Sequence, residues 1–479
     1  VSAASVICLV DTASTARDHG HMKSTAVFVC SKCDGQFNKW SGQCTECGAW
    51  GTVHEDGAAV ANPSSGSRGK AKPAGKTGSF AALDQSLAVP IPTKLAWWDE
   101  LLSGGLVNGS VTLLGGEPGI GKSTLTAQLA IQIARQNRPV LYVTGEESPM
   151  QVGARLKRLA GVALPETLSF LDETDALTIA ATIRAQKPAL TIVDSIQTVR
   201  MPDVTGEPGN PTQVKASAAI INEAAKDVGA SVILVGQVNK DGDLAGPRLL
   251  EHLVDTVLMI EGDRGLSHRL LRVFKHRFGS ADETAILDLS ERGLEPILDP
   301  SAALLAHRPA KASGTIVTPI VEGNKTLLVE LQALVTPAGY GTPLRRTSGI
   351  DANRASLLLA VMARRVGASF GDQDVFANVI GGFSAAEAAS DLAFCLAAIS
   401  AKQDQVIDQT VAAFGEVGLA GELRPVSRMD LRVRELERLG FLTIILPKSA
   451  KLPKTTKAKL VPCSTVREAC ETLGLFKVR

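Results

Sequence analysis

Residues 115–124 read GGEPGIGKST, and Gly116, Gly121, Lys122 and Ser123 fill the pattern G-x-x-x-x-G-K-[ST]. No other stretch constrains the chain as much, because this one fixes a local shape and a ligand together. Across Gly115, Gly116, Glu117, Pro118, Gly119, Ile120, Gly121, Lys122, Ser123 and Thr124 the backbone must curl around an anion, and glycine leaves no Cβ in the way. The apolar run 111–114 predicts a buried strand before the loop, and 125–134 predicts a helix after it. The helix N-terminus adds a positive dipole end. Strand, glycine-rich turn and helix make a nucleotide-binding P-loop. Lys122 then reaches the β- and γ-phosphates of ATP, and Ser123 ligates Mg²⁺.

Four further apolar runs follow, at 140–143, 168–171, 190–193 and 232–235, with helical stretches at 150–160, 175–186 and 212–228 between them. That alternation predicts an α/β core built on a mostly parallel, doubly wound sheet, with ligand chemistry at the carboxyl ends of its strands. Three of those ends are polar. The run LTIVD ends in Asp194, a Walker B arrangement that holds Mg²⁺ opposite Ser123. Residues 140–147 end in Glu146 and Glu147, either of which can polarise an attacking water. Residues 232–237 end in Gln237, placed to sense the γ-phosphate. Two Gly/Pro-rich loops, 200–213 and 239–248, leave the same edge. Loops of that length inside a compact domain are usually functional. The motif KHRFG at 275–279 puts Lys275 and Arg277 on either side of His276.

The 479 residues suffice for about three domains. A net charge of +1 rules out a bulk basic field, so any nucleic-acid affinity must be local. No apolar run reaches the ~18–20 residues of a membrane span, and residues 1–10 make a poor signal peptide, so a cytoplasmic protein without membrane contact is expected. Met22-Lys23 reads as a natural start, with residues 1–21 an extension ahead of it. Cys30, Cys33, Cys44 and Cys47 form two C-x2-C knuckles ten residues apart, the spacing of a tetrahedral S4 shell for structural Zn²⁺. Trp40 and Trp50 are expected to cover that small module. Residues 57–79 are mostly Gly, Ala, Pro, Ser and Lys with few large apolar side chains, a flexible linker.

In order along the chain, the cysteine knuckles, GGEPGIGKS, GEES (145–148), VDSIQ (193–197), GQVNKDG (236–242), LAGPRLLEHLVD (244–255) and K-x-RFG resemble the bacterial RadA (Sms) family of RecA-superfamily recombination and repair ATPases, from about residue 26 to 479. The family's last motif has Asn where this chain has His276. The resemblance implies a hexameric ring that hydrolyses ATP and moves on single-stranded and branched DNA during recombination, beside a RecA-type recombinase. It assigns the catalytic carboxylate to Glu146 rather than Glu147, and the γ-phosphate sensor to Gln237. Lys275 and Arg277 would act across the subunit interface. The two loops would face DNA, with Lys240 and Arg248 as contacts.

The region after residue 309 resembles the Lon protease domain, on NVIGGF (378–383), the helix around 391–400 and GEVGLAGELRP (415–425). Its nucleophile position falls on Ala389 and its lysine position near Asp430, so the resemblance implies an inactive protease scaffold. The expected fold is therefore a four-cysteine zinc module (25–53), a linker (54–92), a RecA-like P-loop ATPase core (93–300) and an α+β Lon-like domain (301–479), after an N-terminal extension (1–24). Two alternatives are an ATP-dependent protease and a RecA-like signalling ATPase without DNA activity. Residues 424–438 read as an exposed helix face, and five lysines at 448–459 read equally as a phosphate track or a solvated loop.

Overall fold

The computed structural model describes residues 28–30, 32, 36–37, 39–45, 47–55, 89–237, 247–262, 268–339, 342–450 and 456–476. The expectations for residues 1–24, most of the linker, Cys33, Lys240, Lys451 and Lys454 fall outside them, as does the side chain of Arg248. The chain divides into two compact units, 1–79 and 80–479.

The first unit is a three-stranded antiparallel sheet of β1 (Phe28–Cys30), β2 (Gln36–Phe37) and β3 (Val53–Glu55), in the order β2-β1-β3. Its interior holds Cys30, Cys44 and Val53, with Phe28 and Phe37 against them. Those five side chains fill it, so the expected cover by tryptophan does not form. Trp40 and Trp50 stay 65% and 75% exposed, and the Trp40 indole only donates to the Val53 carbonyl at its rim.

The second unit opens with α1 (Ala96–Leu101), then β4 (Val111–Gly116), α2 (Lys122–Ala134), β5 (Val140–Thr144), α3 (Pro149–Ala160) and β6 (Leu168–Asp172). It continues through α4 (Ala176–Gln186), β7 (Leu190–Asp194), α5 (Pro211–Val228), β8 (Ser231–Gln237), α6 (Pro247–Leu250) and β9 (Thr256–Glu261). These six strands are parallel. Strands β4, β5 and β8 are buried almost end to end because helices cover both faces, which is why they read as unbroken apolar runs. One apolar cluster gathers side chains of α2 and α3, the other those of α4 and α5.

The sheet is larger than the sequence suggested. Three antiparallel strands, β10 (His268–His276), β11 (Thr284–Ser290) and β12 (Gly293–Pro296), extend it to nine, in the order β12-β11-β10-β9-β4-β8-β7-β5-β6. After α7 (Pro300–Leu305) comes a second, mixed sheet. It comprises β13 (Thr315–Glu322), β14 (Lys325–Pro337), β15 (Arg345–Ser348), β16 (Gln373–Val379), β17 (Val411–Ala413), β20 (Thr443–Pro447) and β21 (Lys459–Cys463), in the order β15-β16-β14-β13-β17-β20-β21. A small hairpin of β18 (Glu416–Val417) and β19 (Leu423–Arg424) lies between β17 and β20 in the chain. Helices α8 (Ala352–Val361), α9 (Asp391–Gln403) and α11 (Val466–Thr472) join the main cluster on one face, and α10 (Met429–Arg438) packs on the other.

Helix α10 keeps most of the charged side chains of 424–438 exposed, as expected, and departs from that reading at one arginine. Arg432 on it is fully buried, donating through Nη1 and Nη2 to Glu387 at 2.8 and 2.6 Å and to the Pro319 carbonyl. Among the described residues no helix is long and apolar enough to cross a membrane.

Candidate active site

The P-loop follows β4 as expected, and its glycines are needed for closeness. A Cβ on Gly116 would lie 2.8 Å from the Ile260 carbonyl oxygen on the neighbouring strand. Gly115 and Gly116 end β4, and Gly121 caps α2 in the left-handed region at φ 117°. The Ile120 side chain turns into the core while its carbonyl accepts from Arg269 Nε at 3.2 Å. The loop shares a cavity of about 250 Å³ with the ends of β5, β7 and β8.

Lys122 is buried in this cavity, and its Nζ donates to the carbonyls of Gly116 and Glu117 at 2.7 and 2.8 Å. Burial pushes its ammonium pKa down, against the pull of Asp194, Glu146 and Glu117. The ammonium thus closes the loop on itself where an anion would compete for it. Ser123 and Asp194 are hydrogen-bonded through their side chains, and the Tyr142 hydroxyl donates to Asp194 Oδ2 at 2.8 Å. Burial raises the Asp194 carboxyl pKa, the Ser123 and Tyr142 bonds lower it, and Glu146 and Glu147 raise it again. A serine hydroxyl beside a carboxylate at the start of α2 is a hard-oxygen donor set of the kind Mg²⁺ takes.

Residues 145–147 turn from β5 into α3. Gly145 donates its N–H to the Asp194 carbonyl at 3.2 Å, and a Cβ there would meet Thr198 Oγ1 at 2.6 Å and Thr174 Cγ2 at 3.1 Å. The two glutamates then differ sharply. Glu147 accepts from Arg155 on α3 at 2.6 Å, and its carbonyl accepts from Thr144 Oγ1 at 2.5 Å. Glu146 is exposed and meets Gln237 Nε2, 3.2 Å from each carboxylate oxygen. The open carboxylate of the pair is therefore Glu146, and Gln237 sits beside it.

Lys122, Ser123, Asp194, Glu146 and Gln237 all line the one cavity. Lys275 and Arg277 do not. Lys275 Nζ donates to the carbonyls of Glu251 and Val254, and Arg277 pairs with Asp255 at 3.1 Å. A bulge between Val273 and Lys275 turns Phe274 outward, and Phe278 is also exposed. His276 is buried with Nδ1 3.0 Å from Thr256 Oγ1, and burial lowers its pKa. Sequence reasoning did not single out Tyr142, Thr144 and Arg155. The signal for the first two was a Tyr and a Thr two apart in an apolar strand, hence on one face. For Arg155, which also lines the cavity, only the three-dimensional turn supplies it.

In the first unit the Sγ atoms of Cys30, Cys44 and Cys47 lie within 4.8 Å of one another, and Cys30 Sγ is 3.8 Å from Cys47 Sγ. That separation is far too long for a disulfide and equals the edge of a tetrahedron with ~2.3 Å Zn–S bonds, about 3.8 Å. The three thiols fit zinc, and Cys33, the fourth expected ligand, lies outside the described residues.

Comparison with known proteins agrees with this geometry. A family model described as AAA domain matches residues 79–243, and one described as Rubredoxin metal binding domain matches 28–55. The chain is 41% identical over 453 residues to the DNA repair protein RadA of Bacillus subtilis (strain 168), covering 94% of this chain and 98% of that one. It is 41% identical over 446 residues to the DNA repair protein RadA of Pseudomonas aeruginosa, covering 93% and 97%. A KaiC-like protein from Pyrococcus horikoshii OT3 is 18% identical with a TM-score of 0.37, covering 43% of this chain and 98% of that one. A P-loop domain with this kinship makes the chain an ATP-hydrolysing enzyme of RecA type. Its cavity, cysteine cluster and near full-length identity place it in the bacterial RadA family, to which the chain belongs.

Proposed function

We propose that this chain is a DNA-dependent ATPase that translocates on single-stranded DNA, drives branch migration in recombinational repair, and works as a hexameric ring in the cytoplasm. The observation that carries the catalytic part is the convergence of Lys122, Ser123, Asp194, Glu146 and Gln237 on one cavity. The DNA part rests on relatives whose names describe DNA repair.

On this reading, Lys122 exchanges its two loop carbonyls for the β- and γ-phosphates of ATP. Ser123 and Asp194 hold Mg²⁺, which supplies charge neutralisation at the phosphates when bound. Glu146 takes a proton from the attacking water, and Gln237 couples that carboxylate to the γ-phosphate. Lys275 and Arg277, committed to backbone and to Asp255 outside their own cavity, serve the neighbouring subunit's nucleotide. Loops 200–213 and 239–248, with Lys240 and Arg248, face the DNA, and a RecA-type recombinase is the partner. Cys30, Cys33, Cys44 and Cys47 hold structural zinc.

Residues 301–479 are, in this proposal, a Lon-protease-like platform without proteolysis. Three features support that. Ala389 is buried and offers only a methyl; the Ser390 hydroxyl donates to the carbonyls of Ala385 and Glu387 at 2.6 and 2.9 Å; and Asp430 is exposed. Among the described residues no amine or imidazole hydrogen-bonds that serine to activate it.

The test is Glu146→Gln, measured for ATP binding and for hydrolysis with and without single-stranded DNA. Retained binding, lost turnover and a parental rate stimulated by DNA are expected. An unstimulated parental rate, or a monomer in the presence of nucleotide and oligonucleotide, refutes the motor.

A further inference from the structure

We infer that Arg155 is a positioning residue for hydrolysis: it neutralises and anchors Glu147, so that Glu146 alone is presented to the attacking water. The inference rests on the reading of Glu146 as the base and adds the device that selects it. Two adjacent glutamates leave the end of β5 on one short turn, and nothing in their chemistry distinguishes them. Their surroundings do.

Glu147 is held at both ends. Thr144 Oγ1 fixes its carbonyl and the Arg155 guanidinium, two helical turns into α3, fixes its carboxylate at 2.6 Å. The two side chains are 33% and 22% exposed, so the pair is partly shielded from water, and Arg155 Nη1 and Glu147 Oε2 are buried without a further partner among the described residues. The base of α3 is itself rigid, because Ser148 and Gln151 cap each other's backbone amides. A stiff helix therefore delivers the cation to one glutamate only.

Charge gives the second reason. Glu146, Glu147 and Asp194 put three carboxylates on the cavity wall against the cations Lys122 and Arg155. Without Arg155, Glu147 is an unpaired charge beside an incoming triphosphate, free to swing toward the water that Glu146 addresses. Arg155 does not need to touch the nucleotide to matter. It acts through Glu147.

The test is a double-substitution cycle in the full-length protein, reading kcat, KM for ATP and nucleotide affinity. Arg155→Ala is expected to lower kcat about tenfold to a hundredfold, the range for loss of a shielded charge-assisted pair, and to weaken nucleotide binding. Glu147→Gln alone should cost a few-fold. In the Glu147→Gln background Arg155→Ala should cost almost nothing more, because the charge it governs is gone. Arg155→Lys should recover part of kcat. A merely structural arginine would lower activity equally in both backgrounds, and so would one that contacts phosphate; either result overturns the inference, as does a parental kcat for Arg155→Ala. If Arg155→Ala alone fails to fold, the double variant and Arg155→Lys still decide. Failure of the underlying reading looks different: Glu147→Gln abolishes turnover while Glu146→Gln does not.

Discussion

Gly145→Ala tests most directly whether the geometry of the 145–147 turn controls hydrolysis. The added Cβ would stand 2.6 Å from Thr198 Oγ1, where ordinary contact begins near 3.4 Å, so something must move by about 0.8 Å. Thr198 cannot easily yield. It is β-branched, with few rotamers open to it, and its hydroxyl donates to the Ser195 carbonyl at 2.8 Å. Thr174 Cγ2 blocks a second direction at 3.1 Å. The displacement therefore passes to the turn, whose next residue is Glu146. Misplacing a catalytic group by ~1 Å costs on the order of a hundredfold. We expect kcat to fall about 30- to 100-fold, or roughly 2–3 kcal/mol in the barrier. Nucleotide affinity should change little, since Lys122 and Ser123 sit on a different loop. Steady-state ATPase assays and binding of a fluorescent ATP analogue separate the two. Adding Thr198→Ala removes the 2.6 Å contact and should restore most of the rate. A Gly145→Ala rate within threefold of the parent, or no recovery in the double variant, refutes the argument.

Three further outcomes are expected. Lys122→Ala should remove measurable ATP hydrolysis in a phosphate-release assay, because the loop loses its only buried ammonium at the β- and γ-phosphates. Cys30→Ser should lower bound zinc per chain by elemental analysis while ATP binding persists, since the cysteine cluster belongs to the 1–79 unit and the P-loop to the other. The Asp299–Arg438 pair holds the Asp299 carboxyl down at about 2. A depressed carboxyl adds stability above its ordinary pKa and loses it as pH falls toward the folded value, here between about pH 4 and 2. With the side chains 37% and 46% exposed, screening leaves about 1 kcal/mol or less, seen as a gap between parent and Asp299→Asn melting curves that closes over that window.

Phosphate binding was legible because its chemistry is local. A ten-residue loop states its glycines, its lysine and its serine in order, and each parallel strand buried on both faces announces itself as an apolar run. Asp194, Glu146 and Gln237 could be placed because they end such runs. What could not be read depends on contacts far apart in sequence. Arg432 sits in a charged stretch, RVRELER, that looks solvated; only the approach of Glu387 and the Pro319 carbonyl, 45 and 113 residues away, explains its burial. Truncating a fully buried arginine that is paired in this way would typically cost about 3–5 kcal/mol, somewhat less here since Glu387 is 31% exposed. The cysteine module failed in the opposite sense. Trp40 and Trp50 looked like core because they are large, but five smaller side chains had already filled an interior of that size.

The least legible element, the antiparallel extension β10–β12, is the one that ties the nucleotide loop to the C-terminal sheet. Apart from the basic KHRFG motif that begins at the end of β10, its strands carry no glycine-rich or strand-end signature, and β10 alternates between buried and half-buried side chains along most of its length. On one side Leu289 and Leu294 stand where a Cβ on Gly121 would meet them, and Gln128 of α2 bonds the Leu294 backbone through both its amide N and O. On the other, Arg272 of β10 reaches Glu322 of β13 at 2.5 Å while also holding Glu261 of β9. The backbone then runs through Asp299, which caps α7 and holds Arg438 of α10. Any shift of α2 on nucleotide binding would thus be carried by direct contacts among the described residues to the C-terminal sheet. A sheet bolted to the P-loop in this way is placed to receive motion from it.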